Sequence, residues 1–339
     1  MRVRLKDIAA DLNLSKMTIS KVLRGQTDIS EATKVRVLKR VKELNYIPNL
    51  SASSLRTGET KTIGLILPSI GKAWLAEVSA GINHIVSAAG YSLIVCSSEE
   101  DAGSEQRQVE TLVSLQVDAL LIMSLQETSA FFEQMPKTRT TPIVFVSQMP
   151  AGTRESYVGV HEELVGWIAA DHLARIGCKR VAYLRGPRTA IGDLRANGYR
   201  RALSESGLAA HADLVIETMS YERDEYARGR EAMERLLSRR GRPDGVIAYT
   251  DLMAVGAMDE ASCCGIGIPE EMRFVGCGDD ALLCQMRLPL TSVDTVEREL
   301  GQRAGRMALR AIGNSKGKAS QRVLVQPRLV KRRSSEKGR

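Results

Sequence analysis

Apolar residues at Leu5, Ile8, Ala9 and Leu12 recur at i, i+3, i+4 and i+7, the period of one helix face. Asn13-Leu14-Ser15 breaks that period, and Ser15 can cap a second helix by accepting from a free backbone N–H. The next stretch, Lys16 to Arg24, is expected to bury Ile19, Val22 and Leu23 and to stop at Gly25, which tolerates a left-handed C-terminal conformation. Its opposite side carries Lys16, Met17, Thr18, Ser20, Lys21 and Arg24. A third helix is predicted from Glu31 to Asn45 behind Ser30, with Ala32, Val35, Leu38 and Val41 as the face covering the first two. Tyr46-Ile47-Pro48 ends it, because proline cannot extend a helix and restricts the residue before it. Two short helices across a tight polar turn make a helix-turn-helix, whose second helix can lie in a DNA major groove. The same spacing would also serve an ordinary surface hairpin. Residues 49–57 can form one more short helix, too serine-rich to stand alone, before a polar linker at 58–61.

From Thr62 the texture changes. Strand-like apolar runs at Ile63–Leu67, Tyr91–Cys96, Ala119–Met123, Ile143–Val146, Val181–Leu184, Val246–Tyr249 and Phe274–Val275 alternate with helical stretches. Examples of the latter are Trp74–Ala89, Ser104–Leu115, Leu164–Ile176, Leu194–Ser206, Tyr226–Arg239 and Met253–Cys264. Strict alternation calls for parallel sheets covered on both faces, an α/β class. The order repeats on either side of about residue 160, which predicts two such units facing a cleft, with ligands at the carboxyl ends of the strands.

Composition narrows the function. The net charge is +8, with a balance of +6 in residues 1–60 and +4 in the last nine, so the long middle is slightly acidic. A basic head on a nearly neutral body directs any polyanion to the head. Neither an apolar leader nor a run of about 18 apolar residues occurs, which predicts a cytoplasmic chain. The six cysteines lack CxxC spacing or histidine partners, so no metal site is expected and they read as reduced thiols. Gly276-x-Gly278-x-x-Ala281 imitates a dinucleotide fingerprint, but it comes late and opens no helical period. His84, His161, His172 and His211 have no nucleophile in recognisable spacing. Neither catalytic residues nor a cofactor is predicted.

Several segments together carry a resemblance: KDIAADLNLSKMTISKVLRG, ELNYIPNLSASSLRTGETKTIGLILP, VDALLIM, AADHLARIGCKRVAYLRGP, LRANGYRRAL, DLMAVGAM and FVGCGDD…LPLTSVD. With them the chain, from Leu5 to about Arg333, resembles the LacI/GalR family of ligand-responsive bacterial transcription regulators. The resemblance implies a helix-turn-helix head at 1–48, a hinge helix and linker at 49–60, and an effector-binding, dimerising core like the periplasmic sugar-binding proteins at 61–333. The core's first subdomain is expected at about 61–158 and 294–321, its second at about 159–290 and 322–333, with a basic tail at 334–339. The partners implied are an operator in double-stranded DNA, a sugar or sugar-acid effector and a second copy of the chain. The tail has no leucine heptads to build a coiled-coil tetramer.

By the same resemblance Lys16 and Met17 choose operator bases: lysine can donate to guanine, whereas methionine meets only apolar features such as a thymine methyl. Lys21 stands where most members carry arginine and lacks the bidentate fork. Thr18, Ser20 and Arg24 match phosphate-contacting positions, which orient the helix without reading sequence. Arg4 occupies the cap usually held by threonine, predicting a frayed start that Asp7 partly offsets through the helix dipole. Asn49, Ala52, Leu55 and Arg56 match the hinge. There Leu55 would wedge into a central base step of the minor groove, against the plainer reading that it packs between protein helices. A hinge that orders only on DNA would let the core switch the head.

For the effector, the resemblance implies Trp74, Ser147, His161, Arg195, Tyr221, Thr250 and Asp279. Arg195 would grip ligand hydroxyls or carboxylates; the plain alternative is a surface ion pair. Trp74 would stack on a sugar face or be an interface tryptophan. Here Cys277 replaces an aromatic, Gly278 a sugar-contacting aspartate, Thr250 an asparagine, and Ser147 a frequent aspartate. Losing an aspartate while keeping Arg195 suggests an acidic ligand such as a sugar acid. Control by a protein corepressor, or by no effector, is the competing reading.

Overall fold

A computed structural model describes residues 3–23, 25–46, 58–135, 141–186, 188–218, 224–313 and 320–336, without the side chain of Cys284. The chain divides into two compact units, Met1–Thr60 and Lys61–Arg339.

The first unit holds α1 (Leu5–Asp11), α2 (Lys16–Leu23) and α3 (Glu31–Glu43). Ile8, Ala9, Ile19, Val22 and Val37 form its core, ringed by Leu5, Leu12, Leu14, Leu23, Val41, Leu44 and Tyr46. Ser15 caps α2, its hydroxyl accepting the Thr18 N–H at 3.0 Å. At α1 the Arg4 side chain caps nothing. Asp7 reaches back instead to accept the Arg4 N–H at 2.8 Å, so a direct hydrogen bond adds to the dipole and ties down the start expected to fray. The face expected of α3 is corrected. Ala32, Val35 and Leu38 point to solvent, Val35 being 63% exposed, while Val37, Val41 and Leu44 point inward. Two residues along a helix rotate the side chain by about 200°, so the choice between Val35 and Val37 inverts the face. Polar anchors decide it: Arg40 pairs with Asp11 of α1, and Arg36 Nη2 donates to the Leu12 carbonyl at 3.4 Å.

The second unit is built on two six-stranded sheets. The strands are β1 (Thr62–Leu67), β2 (Ser92–Ser97), β3 (Ala119–Ile122), β4 (Ile143–Val146), β5 (Ser156–Val160), β6 (Val181–Arg185), β7 (Val215–Glu217), β8 (Gly245–Ala248), β9 (Arg273–Cys277), β10 (Thr291–Asp294), β11 (Arg322–Val325) and β12 (Arg328–Val330). The first sheet runs β11-β5-β4-β3-β1-β2 and the second β12-β10-β9-β8-β6-β7. All pairs are parallel except β10 with β12. Helices α4 (Ala73–Ala88), α5 (Ala102–Ser114), α6 (Ala130–Gln134) and α11 (Glu297–Ile312) cover the first sheet. Helices α7 (Glu162–Arg175), α8 (Ala190–Glu205), α9 (Glu225–Leu237) and α10 (Asp251–Cys263) cover the second. The expected α/β class of two parallel-dominated sheets is the one found. Strands β5, β7, β10, β11 and β12 and helices α6 and α11 were not among the elements singled out from the sequence.

The chain passes between the sheets after β5, between β10 and α11, and between β11 and β12. The sequence placed residues 322–333 in the second subdomain; this is corrected for 322–325, because β11 pairs in parallel with β5 of the first sheet (Arg322 opposite Tyr157, Val325 opposite Val160). At the middle crossing Val296 adopts the left-handed conformation (φ 51°), costly for a β-branched residue. Asp294 holds it there, one oxygen accepting the Val296 N–H at 2.7 Å and the other Arg328 Nε at 2.8 Å. The expected basic tail is also corrected, since Ser334 and Ser335 are buried. The Ser334 hydroxyl donates to the Phe274 carbonyl at 2.7 Å and accepts the Thr291 N–H at 2.8 Å. Ser335 Oγ bonds Thr291 Oγ1 at 2.7 Å and His172 Nε2 at 2.8 Å. These hydroxyls make the backbone and side-chain bonds that a further strand would otherwise supply.

Candidate functional site

On the head, Lys16 and Met17 open α2 and are exposed, Met17 by 69%. Thr18, next in line, bonds its hydroxyl to Ser15 Oγ at 2.9 Å, so it belongs to the cap as well as to the outer face. Ser20 and Lys21 are half-buried. The Lys21 ammonium forms an ion pair with Asp28, which compensates a charge that the sequence offers to DNA. Arg24, Asn49, Ala52, Leu55, Arg56 and, in the core, Tyr221 lie outside the described residues.

In the core, chemistry gathers at the carboxyl ends of β6, β8 and β9, where α7 and α8 begin. These two helices approach until their backbones touch. A Cβ on Gly166 would lie 1.9 Å from the Arg195 carbonyl oxygen, and one on Gly198 would lie 1.8 Å from that of Glu163. That approach sets Arg195 of α8 against Glu162, the first residue of α7. Arg195 Nε donates to Glu162 Oε2 at 2.6 Å, and both side chains are largely buried. Arg195 Nη1 donates to the Tyr249 carbonyl at 2.9 Å, and the guanidinium lies 4.7 Å from the centroid of the Tyr249 ring. Burial pulls the Arg195 pKa down, yet Glu162, then Tyr249 and Cys277, hold it well above the usual arginine value. The Tyr183 hydroxyl is buried in the same neighbourhood with no hydrogen-bond partner among the described residues, and burial pushes its pKa up. Burial also pushes the Cys277 thiol up to about 12, with Arg195 opposing it.

The other expected residues divide. Thr250 caps α10, accepting the Met253 N–H at 3.3 Å, and donates to Glu225 at 2.8 Å. Asp279 is held by Arg332 Nη1 at 2.6 Å, an ion pair with the segment that follows β12. His161 caps α7 through Nδ1, which accepts the Leu164 N–H at 3.3 Å. Ser147 is buried at the end of β4, its N–H donating to Val158 and its carbonyl accepting from the Tyr157 hydroxyl. Trp74, in the first turn of α4, is about one-third exposed. Among the described residues no hydrogen bond joins Ser147 or Trp74 to Arg195. The arginine is thus neither a surface ion pair nor free; it is buried and already partnered.

Sequence reasoning missed Glu162, Asp251, Glu297 and Arg332. Asp251, first in α10, accepts from the Ser292 hydroxyl at 2.5 Å and the Asp280 N–H at 2.8 Å, while burial pushes its pKa up to about 6. Burial likewise raises Glu297, at the middle crossing, to about 7. A Glu or Asp opening a helix after a strand is the local signal; its partner is not local. Among the described residues no cluster of His, Cys, Asp and Glu could hold a metal ion, and no helix is long and apolar enough to cross a membrane.

Residues 4–49 match the bacterial regulatory proteins, lacI family, and residues 170–335 match the periplasmic binding protein-like domain. The ribose operon repressor of Escherichia coli K12 is 31% identical over 301 residues, covering 88% of this chain and 90% of that protein. The solved transcriptional regulator CelR–cellobiose complex is 26% identical with a TM-score of 0.72, covering 98% of this chain and all of that one. The lac repressor dimer bound to operator and the anti-inducer ONPF shares the fold, with a TM-score of 0.87 at 23% identity over 98% of this chain and 99% of that one. The chain therefore belongs to the lacI family of bacterial regulatory proteins and is a DNA-binding transcriptional regulator.

Proposed function

We propose that this regulator is a dimeric repressor of carbohydrate-catabolism genes, working in the cytoplasm, whose core takes a small carbohydrate where Arg195 meets the strand ends. The observation that carries the reading is the buried Arg195, fixed by two hydrogen bonds and a ring face at the carboxyl ends of β6, β8 and β9. A polar group buried at such a site is held ready for a ligand's hydroxyls. That a 31% identical relative is named a ribose operon repressor, and that the solved CelR holds cellobiose, supports a sugar over other effectors.

On DNA, exposed Lys16 and Met17 would read bases, Lys21 would add weaker base specificity for want of a bidentate fork, and Thr18, Ser20 and Arg24 would sit along the backbone. The hinge role of Asn49, Ala52, Leu55 and Arg56 rests on the sequence resemblance alone, and with it an imperfect palindrome whose centre is a flexible step. Two copies would meet through exposed apolar residues: Ile70, Trp74, Ile94 and Val95 beside the first sheet, Leu252 and Leu282 beside the second.

The test has two stages. Selection from a random duplex pool should enrich a palindrome, and titration of that duplex with a carbohydrate panel should change its affinity in wild type but not in Arg195→Ala. A palindrome bound equally well with every ligand would remove the effector and leave a regulator governed by a corepressor or by none.

A further inference from the structure

The arginines at the strand ends share a feature: each faces a carboxylate. Arg185 pairs with Asp193, Arg188 with Glu217, Arg195 with Glu162 and Arg332 with Asp279. For Arg195 the partner is internal and nearly sealed, since Glu162 is only 6% exposed. A carboxylate or phosphate approaching this guanidinium meets a negative charge already in place. It would have to displace Glu162, leaving a buried unpaired carboxylate, or lie beside it; both are unfavourable. Asp251 lies in the same region and, with its pKa raised only to about 6, adds negative charge at neutral pH.

A hydroxyl meets no such conflict. Among the described residues two of the five Arg195 N–H groups are used, by Glu162 and by the Tyr249 carbonyl, which leaves donors for a ligand. A carboxylate can accept from several donors at once. The pair is therefore a fork that gives to one hydroxyl and takes from its neighbour, the pattern of a vicinal diol. We propose that Glu162 sets the effector class: by neutralising Arg195 it selects an uncharged, polyhydroxylated sugar and rejects sugar acids and phosphosugars. This rests on the carbohydrate reading above, and it reverses the sugar acid suggested by the loss of aspartate at Gly278.

The deciding experiment is calorimetric titration of the full chain with matched probes: a set of neutral aldoses, the corresponding aldonates and the corresponding sugar phosphates. Wild type should bind a neutral aldose at least ten times more tightly than its aldonate or phosphate. Glu162→Gln keeps the shape but leaves Arg195 uncompensated, so the ratio of aldonate to aldose affinity should rise at least tenfold. Glu162→Asp retains the charge and should restore the wild-type order. If Glu162→Gln proves unfolded by circular dichroism, the wild-type order of aldose over aldonate and the Glu162→Asp result still decide. Wild type preferring an aldonate or a phosphate overturns the inference while the carbohydrate reading stands. Binding of none of the probes by a chain that still binds duplex DNA removes the carbohydrate reading, and the inference with it.

Discussion

Replacing Gly198 by alanine tests whether the contact of α7 with α8 builds the site. The added methyl would start 1.8 Å from the Glu163 carbonyl oxygen and 2.7 Å from the Trp167 nitrogen. Carbon–oxygen contacts relax near 3.3 Å, so the two backbones must part by about 1.5 Å. Both obstructing atoms are main chain, and no side-chain rotation relieves them. Overpacking of this kind costs about 1–3 kcal/mol. A shift of that size would also stretch the 2.6 Å Arg195–Glu162 bond beyond hydrogen-bonding range. Leaving buried charges half-partnered adds to the cost, for a total of about 3 kcal/mol or a fall in Tm of roughly 6–12 °C. Gly207→Ala is the control: it follows the same helix at φ 69° with nothing within 4 Å of its Cβ, so it suffers only left-handed strain of about 1 kcal/mol. Scanning calorimetry of both variants decides. Equal losses would refute the claim that helix approach positions Arg195. The claim also predicts that Gly198→Ala, although it removes no side chain from the site, abolishes the effector's influence on operator binding.

Asp28→Asn releases Lys21 from its ion pair. Stability should change by less than about 1 kcal/mol, since the pair is half-exposed, while binding to a non-specific duplex tightens and its log–log salt slope steepens by about 0.9 if Lys21 takes up a phosphate. An unchanged slope in fluorescence anisotropy would show that Lys21 meets no phosphate. Glu297 is raised to about 7 by burial, so the folded chain holds that proton more tightly than the unfolded one. Its stabilising contribution is complete below the unfolded carboxyl value, near 4.5, and is lost as pH rises through about 7. Glu297→Gln should therefore flatten the fall in unfolding free energy between pH 5 and pH 8 by on the order of 2 kcal/mol, measured by chemical denaturation; a parallel fall in both proteins would show that another group is responsible. Ser334→Ala strips a partner from the Thr291 N–H and the Phe274 carbonyl. Chemical denaturation should show a loss of about 1–3 kcal/mol, the cost of orphaned buried polar groups, and a loss near zero would mean that the C-terminal segment does not dock.

What the sequence revealed and what it hid divide along the range of the interactions. The start of α2 was legible because Ser15 and Thr18 are three residues apart and the cap is entirely local. The face of α3 was not. Its apolar residues offer two periodic rows, and contacts between helices, Arg40 with Asp11 and Arg36 with the Leu12 carbonyl, choose the row through Val37. Ser334 and Ser335 read as part of a charged tail because serine carries no burial signal of its own. Their hydroxyls become structural only once Thr291 and His172 stand opposite. The short strands escaped for a related reason: β11 and β12 hold four and three residues, too few for a period, and their sheets are chosen by distant partners.

At the proposed effector site the same limit extends to charge. Arg195 could be named from its neighbours in LRANGY, and Gly278 could be seen to lack a carboxylate. From those two facts the site looks short of one negative charge, and an acidic ligand looks like the remedy. In the folded chain the charge is not missing. It comes from Glu162, 33 residues before Arg195, brought within 2.6 Å because two glycines let α7 and α8 touch. An uncompensated buried guanidinium would be far costlier than an exchanged aspartate, so the site balances itself from whichever element can reach. The charge of a ligand therefore has to be inferred from the sum over the folded site, where a change at one aligned position is offset by a residue on another helix.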